Sequence, residues 1–289
     1  MNHPPSPSRK LLGPVERKLL RMSLVEDGAF RDLTTLATVP RNLRARGVIL
    51  ARQAGVLAGL PVFQAVYRIL DRSVRVKAKA REGASFRRDG VVAEISGPAG
   101  ALLSGERTAL NLLSRLSGIA TQTRAFVRAA GPGPARIYDT RKTIPLWRSF
   151  ERYAVRVGGG ENHRFNRATH VLIKDNHRSL GGGVWAAVTA ARKRWGRSAF
   201  LEAEVESELE TREALKAGAD ALLFDNRSPA ELRRLLRLVR GTGVVTEASG
   251  GLTLRTIGSY AATGVQRLSV GALTHSALPV DFSLELSGL

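Results

Sequence analysis

Charged residues and glycines gather at fixed points in the second half of this 289-residue chain. Successive short apolar runs end in Asp139, Arg141 and Lys142, in Lys174 and Asp175, in Asp225 and Asn226, in Glu247, Ser249, Gly250 and Gly251, and in Gly271. Another run, LEAEVE, carries Glu202, Glu204 and Glu206 at alternate positions. In a strand this alternation sets the three carboxylates on one face and Leu201, Ala203 and Val205 on the other. Carboxylates turned into a barrel stay ionised only beside cations. Lys142, Lys174 and a divalent metal are the cations that fit. The plainer reading, a half-exposed edge strand, is weakened by the acid Asp225 at the end of the next run.

Two further segments fit anions. ASGGLT (248–253) and SVGALT (269–274) place small residues and glycines after the last two apolar runs, where bare backbone N–H groups cradle phosphate. Each loop alone is equally an ordinary turn. VGGGENHRFN (157–166) sets His163 and Arg164 after a triple glycine. With Arg141, Lys142 and Lys174 they form a cationic set, and arginine forks suit carboxylates. The chemistry implied is the handling of a ligand bearing both carboxylates and phosphates, with acids left over for a metal.

The elements that carry these groups alternate. After Pro134, apolar strands (ARIYDT, THVLIKD, AFLEAEVE, DALLFDN, GVVTEASG, RLSVGA) are interleaved with amphipathic helices near 146–156, 184–195, 208–217, 229–240 and 253–262. Strand–helix alternation predicts a parallel β/α architecture. Polar groups at nearly every strand end favour a (β/α) barrel, whose active face is the carboxyl end of its strands, over a doubly wound sheet with one switch point. The first half reads differently. A helix is expected from Val15 to about Leu24 and another over 60–71, with strands at 46–55, 74–83 and 90–97: an α+β block with an antiparallel sheet. A long helical region from Ser104 to Ala130 is expected to break near Gly118. The divisions expected are a disordered tail at 1–13, a first domain at 14–115, a barrel at 116–275 and a last strand within 276–289 returning to the first domain.

Composition narrows the class. Hydrophobic residues at 43% suffice for a buried core, and the absence of cysteine excludes disulfides and thiolate metal sites. No apolar run matches a membrane span and the polar N-terminus lacks a signal-peptide core, so a cytoplasmic protein is expected. The net charge of +20 raises nonspecific nucleic-acid binding as an alternative. The basic residues of ARKRW and ELRRLLRLVR lie on ordinary amphipathic faces, however, and 6% aromatics is sparse for base stacking.

LVEDGAFRDLTT, GERTALNLLSRLSGIAT, YDTRKTIPLWRSFERYAVRVGGGENHR, VLIKDNH, LEAEVES, LLFDN, EASGGL and SVGALTHS occur in this order between about residues 15 and 286. Together they closely resemble the quinolinate phosphoribosyltransferase family. The resemblance implies an N-terminal α/β sandwich, a C-terminal open barrel, and decarboxylating phosphoribosyl transfer from phosphoribosyl pyrophosphate to quinolinate in NAD biosynthesis. It implies Mg2+ and a homodimer, or a hexamer, whose active sites are shared between subunits. Arg107 resembles the arginine lent to the neighbour's site. Arg141, His163, Arg164 and Lys174 resemble the quinolinate contacts. Lys142, Lys174, Glu204 and Asp225 resemble the groups around phosphoribosyl pyrophosphate, with Glu204 and Asp225 toward the metal. Ser249, Gly250 and Gly271 resemble a 5-phosphate site. A relative associated with molybdate transport is the near alternative, and it is expected to lack the intact IKDNH found at Ile173–His177. The chain departs from the family pattern at EDGAFRD, at Leu146 and Trp147, and at FNRATH after NHR, where an acid is usual.

Overall fold

The computed structural model describes residues 11–288. Of the expected tail, residues 1–10 lie outside the described residues, whereas Leu11 is buried. The chain forms two compact units. One holds the residues up to Arg124, Thr143–Gly159 and those from Ser276 onward; the other holds Ala125–Lys142 and Gly160–His275.

In the first unit, helix α1 (Pro14–Glu26) opens on a proline, whose fixed φ suits a first helical turn, and buries Leu20 and Leu24. Asp32 caps α2 (Leu33–Thr38) by accepting the Thr35 N–H at 3.1 Å. Strand β1 (Arg44–Ala51) buries alternate residues, as a sheet with one covered face requires. There follow β2 (Gly55–Val56), α3 (Leu60–Leu70), β3 (Arg75–Ala78), β4 (Ser85–Phe86), β5 (Val91–Pro98) and α4 (Ala99–Ala130). Phe63 and Tyr67 of α3 and Leu102, Leu110 and Leu113 of α4 are among the most deeply buried side chains.

Helix α4 does not break at Gly118. That glycine serves close approach instead. A Cβ there would stand 2.1 Å from the Leu278 carbonyl oxygen, so the bare Cα admits the returning chain, and Val280 N–H donates to the Ser114 carbonyl at 3.1 Å. The boundary expected at 115–116 falls inside this continuous helix.

Strands and helices then alternate: β6 (Arg136–Tyr138), α5 (Arg148–Gly158), β7 (Val171–Ile173), α6 (Asp175–Leu180), α7 (Gly183–Trp195), β8 (Leu201–Val205), α8 (Glu208–Lys216), β9 (Ala221–Asp225), α9 (Pro229–Val239), β10 (Val245–Ser249), α10 (Ile257–Ala261), β11 (Arg267–Ser269), α11 (Ala272–His275) and β12 (Phe282–Gly288). Of these, α5 and β12 belong to the first unit. Strand β12 pairs antiparallel with β1, Phe282 opposite Ala51, and the first sheet runs β12-β1-β5-β3.

The second unit is one parallel sheet in the order β6-β11-β10-β9-β8-β7. The first strand pairs with the last, so the sheet curls round, while β6 and β7 share no ladder. This is an open barrel, not a doubly wound sheet. A single bridge between Tyr138 and Glu161 ties the loop after α5 to the edge of β6. Among the described residues, no helix is long and apolar enough to cross a membrane.

Candidate active site

The carboxyl ends of the barrel strands enclose a cavity of about 610 Å3 walled wholly by the second unit. Arg141, Lys142, His163, Arg164, Lys174, Asp225, Ser249, Gly250 and Gly271, all expected from the sequence, line it. Two expected residues stand elsewhere. Glu204 is buried at the end of β8 behind Lys174, whose Nζ is 3.5 Å from its carboxylate. Arg107 is exposed on α4 of the first unit.

The loops are held from within. Asp139, fully buried just after β6, accepts the His163 N–H at 2.7 Å and an Asn162 side-chain N–H at 2.5 Å. The Thr274 hydroxyl donates to the Lys142 carbonyl at 2.7 Å, tying the loop after β6 to α11. Gly250 and Gly251 have φ of +89° and +60°, values open to glycine at little cost. At Gly250 a Cβ would lie 2.2 Å from the Asn226 side-chain oxygen. At Gly271 it would lie 3.0 Å from the Lys142 side chain. Both glycines therefore bring bare backbone to the cavity where a side chain has no room, as a phosphate cradle requires.

Charge is divided around the cavity. Burial pushes the Glu204 pKa up, and the nearby charge of Asp225 adds to this against the opposing pull of Lys174. Two carboxylates, both hard oxygen donors, fit a magnesium ion. On the cationic side, burial and the neighbouring Arg141 lower the Arg164 pKa, as crowding of guanidinium groups does.

Beneath the cavity lies a cluster that sequence reasoning did not assemble. Glu202 and Glu247, both fully buried, stand with their Oε2 atoms 3.1 and 3.3 Å from His163 Nε2. His170 Nε2 is 3.7 Å from Glu202, and the Ser269 hydroxyl donates to Glu247 at 2.6 Å. Burial opposes ionisation of Glu202, but the two neighbouring histidines and the charge of Arg267 outweigh it and bring its pKa down. Glu247 is pushed up by burial and by the Glu202 charge. Burial disfavours a cationic His163, and the carboxylates outweigh that and favour one. On its other side the ring is held by the backbone: Nδ1 accepts the Arg164 N–H at 2.8 Å. His170, one of the residues in the departure FNRATH, was the available signal. Glu206, expected beside Glu202 and Glu204, lies past the end of β8 and pairs with Arg178 at 2.6 Å, because the strand stops at Val205.

Comparison with known proteins follows this geometry. The families described as "Quinolinate phosphoribosyl transferase, N-terminal domain" and "C-terminal domain" match residues 32–117 and 119–285. A probable nicotinate-nucleotide pyrophosphorylase (carboxylating) of Bacillus subtilis is 41% identical over 271 residues, 94% of this chain and 93% of that protein. The human nicotinate-nucleotide pyrophosphorylase (carboxylating) is 40% identical over 246 residues, 84% of this chain and 82% of its own. The crystal structure of NadC from Streptococcus pyogenes superposes with a TM-score of 0.92 at 39% identity, covering 96% of this chain and 99% of that one. With both domain families matched in order and relatives near 40% identity along almost the whole length, the chain belongs to the quinolinate phosphoribosyltransferase family.

Proposed function

We propose that this chain transfers the phosphoribosyl group of phosphoribosyl pyrophosphate to quinolinate and decarboxylates the product, giving nicotinate mononucleotide, pyrophosphate and CO2. It is a pentosyltransferase of NAD biosynthesis. The observation that carries the reading is the division of one cavity into a crowded cationic side (Arg141, Lys142, Arg164, Lys174) and two glycine loops after the last barrel strands. A pyridine dicarboxylate suits the first and a sugar phosphate the second.

Arg141 and Arg164 grip the carboxylates and aim the ring nitrogen at C1 of the ribose. His163 lies beside them. Ser249, Gly250 and Gly271 hold the 5-phosphate through hydroxyl and backbone N–H groups. Lys142 and Lys174 face the diphosphate. The bond from C1 to the diphosphate oxygen breaks ahead of attack by the ring nitrogen, and Asp225 and Glu204 stabilise the positive charge that develops on the sugar. A magnesium ion held by Asp225 and Glu204 would supply neutralisation of the leaving diphosphate. The new pyridinium then accepts the electron pair of the C2–carboxylate bond, CO2 leaves, and C2 takes up a proton. Positioning and charge carry the rate.

Arg107 supports a shared site. It lies one helical turn after Leu103, and Leu103, Phe30, Leu33 and Leu36 are exposed apolar residues of the same unit. That surface fits a second copy of the chain, which would receive Arg107 at its own cavity in a homodimer.

The test is an assay with phosphoribosyl pyrophosphate, magnesium and carboxyl-labelled quinolinate. Labelled CO2 released in step with nicotinate mononucleotide, and no product from nicotinate, is expected. Turnover of nicotinate with quinolinate inert would overturn the reading.

A further inference from the structure

Asn226 lines the cavity where the end of β9 meets the loop after β10. Its φ is +52°, in the left-handed region that asparagine enters more readily than most side chains. Its backbone N–H donates to the Ser249 carbonyl at 2.9 Å, just past the last rung of the β9–β10 ladder, Asp225 opposite Ser249. Its side-chain Nδ2 donates to Asp225 Oδ2 at 2.6 Å. We infer that Asn226 is a positioning residue, which clamps the Asp225 carboxylate and spaces it from the 5-phosphate loop at Ser249–Gly251. The inference rests on the reading of Asp225 as the acid that faces the reacting sugar and the diphosphate.

Three observations carry it. Among the described residues, Asn226 is the one hydrogen-bond partner of the Asp225 side chain. Asp225 and the nearby Glu204 repel one another as anions, so without a donor on Oδ2 the half-buried Asp225 carboxylate would turn away from its neighbour. Second, the main chain of Asp225 is already tied, since Arg227 Nε donates to its carbonyl at 3.0 Å. What remains to be fixed is the side-chain rotamer, and that is what the amide reaches. Third, the carboxylate draws the amide nitrogen, so Oδ1 faces the opposite way, and there stands Gly250. A Cβ on Gly250 would lie 2.2 Å from Oδ1 and 2.6 Å from the Asn226 Cγ. The bare Cα of the phosphate loop thus packs directly on the amide, and one planar group spans the acid of β9 and the loop of β10.

The competing use of Asn226 is the turn alone, an asparagine placed where the backbone must be left-handed. That use needs no amide. Glycine adopts φ of +52° at less cost than asparagine, so it would serve the turn equally well. The two uses therefore part at a single substitution that keeps the backbone and removes the side chain.

The full-length enzyme tests this with Asn226→Gly, Asn226→Asp and Asp225→Ala. Calorimetry reads the binding of phosphoribosyl pyrophosphate with magnesium while benzene-1,2-dicarboxylate, which has no ring nitrogen to react, fills the cationic side. Steady-state kinetics and urea unfolding accompany it. Asn226→Gly should keep the parent unfolding midpoint and weaken phosphoribosyl pyrophosphate about tenfold to a hundredfold, the loss of one hydrogen bond to a charged group, while KM for quinolinate stays put. Asn226→Asp keeps the shape but sets a second carboxylate against Asp225, and it should lose at least as much. An Asn226→Gly enzyme that binds phosphoribosyl pyrophosphate like the parent overturns the inference and leaves the asparagine a turn residue. So does one whose midpoint falls and whose two KM values rise alike, or an Asn226→Asp enzyme equal to the parent. If Asp225→Ala binds and turns over phosphoribosyl pyrophosphate normally, the underlying reading of Asp225 fails. If Asp225→Ala loses binding and Asn226→Gly does not, only the positioning role fails. Should Asn226→Asp not fold, Asn226→Gly decides alone.

Discussion

Replacing Gly118 by alanine separates two opposite expectations for one residue. Were the glycine an interruption in a helix, alanine would stabilise it by about 1 kcal/mol through propensity alone. The structure predicts the reverse. The new Cβ would meet the Leu278 carbonyl oxygen at 2.1 Å, its carbon at 2.9 Å and the Pro279 Cα at 3.1 Å. All three are backbone atoms, so no side chain can turn aside. The segment must retreat by roughly 1 Å to restore ordinary contact, and the Val280–Ser114 and Arg115–Ala277 hydrogen bonds, both 3.1 Å, stretch with it. Overpacking of this kind costs about 3 kcal/mol at the upper end of its usual range, and subtracting the propensity gain leaves about 2 kcal/mol of destabilisation. Urea unfolding followed by circular dichroism, with the slope unchanged, reads the loss as a lower midpoint. A Gly118→Ala enzyme with an equal or higher midpoint would refute the close-approach argument.

Three more outcomes are expected. Arg141→Ala should lose about 2–5 kcal/mol of transition-state binding if it forms a desolvated carboxylate pair, read as a fall in kcat/KM for quinolinate, and near-normal turnover contradicts the assignment. Arg107→Ala and Lys174→Ala chains, each inactive alone, should regain activity when unfolded together and refolded as mixed dimers; no recovery from a verified mixed dimer speaks against a shared site. Asp32 has its pKa held below the ordinary 3.8 by the Thr35 hydroxyl and N–H and by Ser104. A depressed carboxylate stabilises the fold above its unfolded pKa and loses that contribution as pH falls through the folded value. Asp32→Ala should therefore lower the unfolding free energy at neutral pH by about 1 kcal/mol and much less in strong acid; an equal loss at both contradicts the ionised cap.

The barrel was legible because its rhythm is local: apolar strand, polar end, amphipathic helix. Lys174 and Asp225 reach the cavity because each terminates such a run, and the glycine loops follow the last two. What stayed hidden depends on partners distant in sequence. Gly118 reads as a helix breaker until Leu278 lies against it. Alternation correctly put Glu202 and Glu204 on one face, but it could not tell that the strand ends at Val205 and releases Glu206 to Arg178. Nor does any spacing connect Glu247 to His163, which meet only because β10 and the loop after α5 converge on the barrel interior.

The edge strand β12 gives the order of synthesis a structural meaning. Every strand of the parallel sheet is synthesised before Phe282, whereas the antiparallel sheet waits for β12 to complete its ladder with β1. Until then β1, made early, presents an unpaired rim, the kind of surface on which nascent chains stick to one another. The unit translated first thus depends for its outer strand on a segment made after the whole parallel sheet.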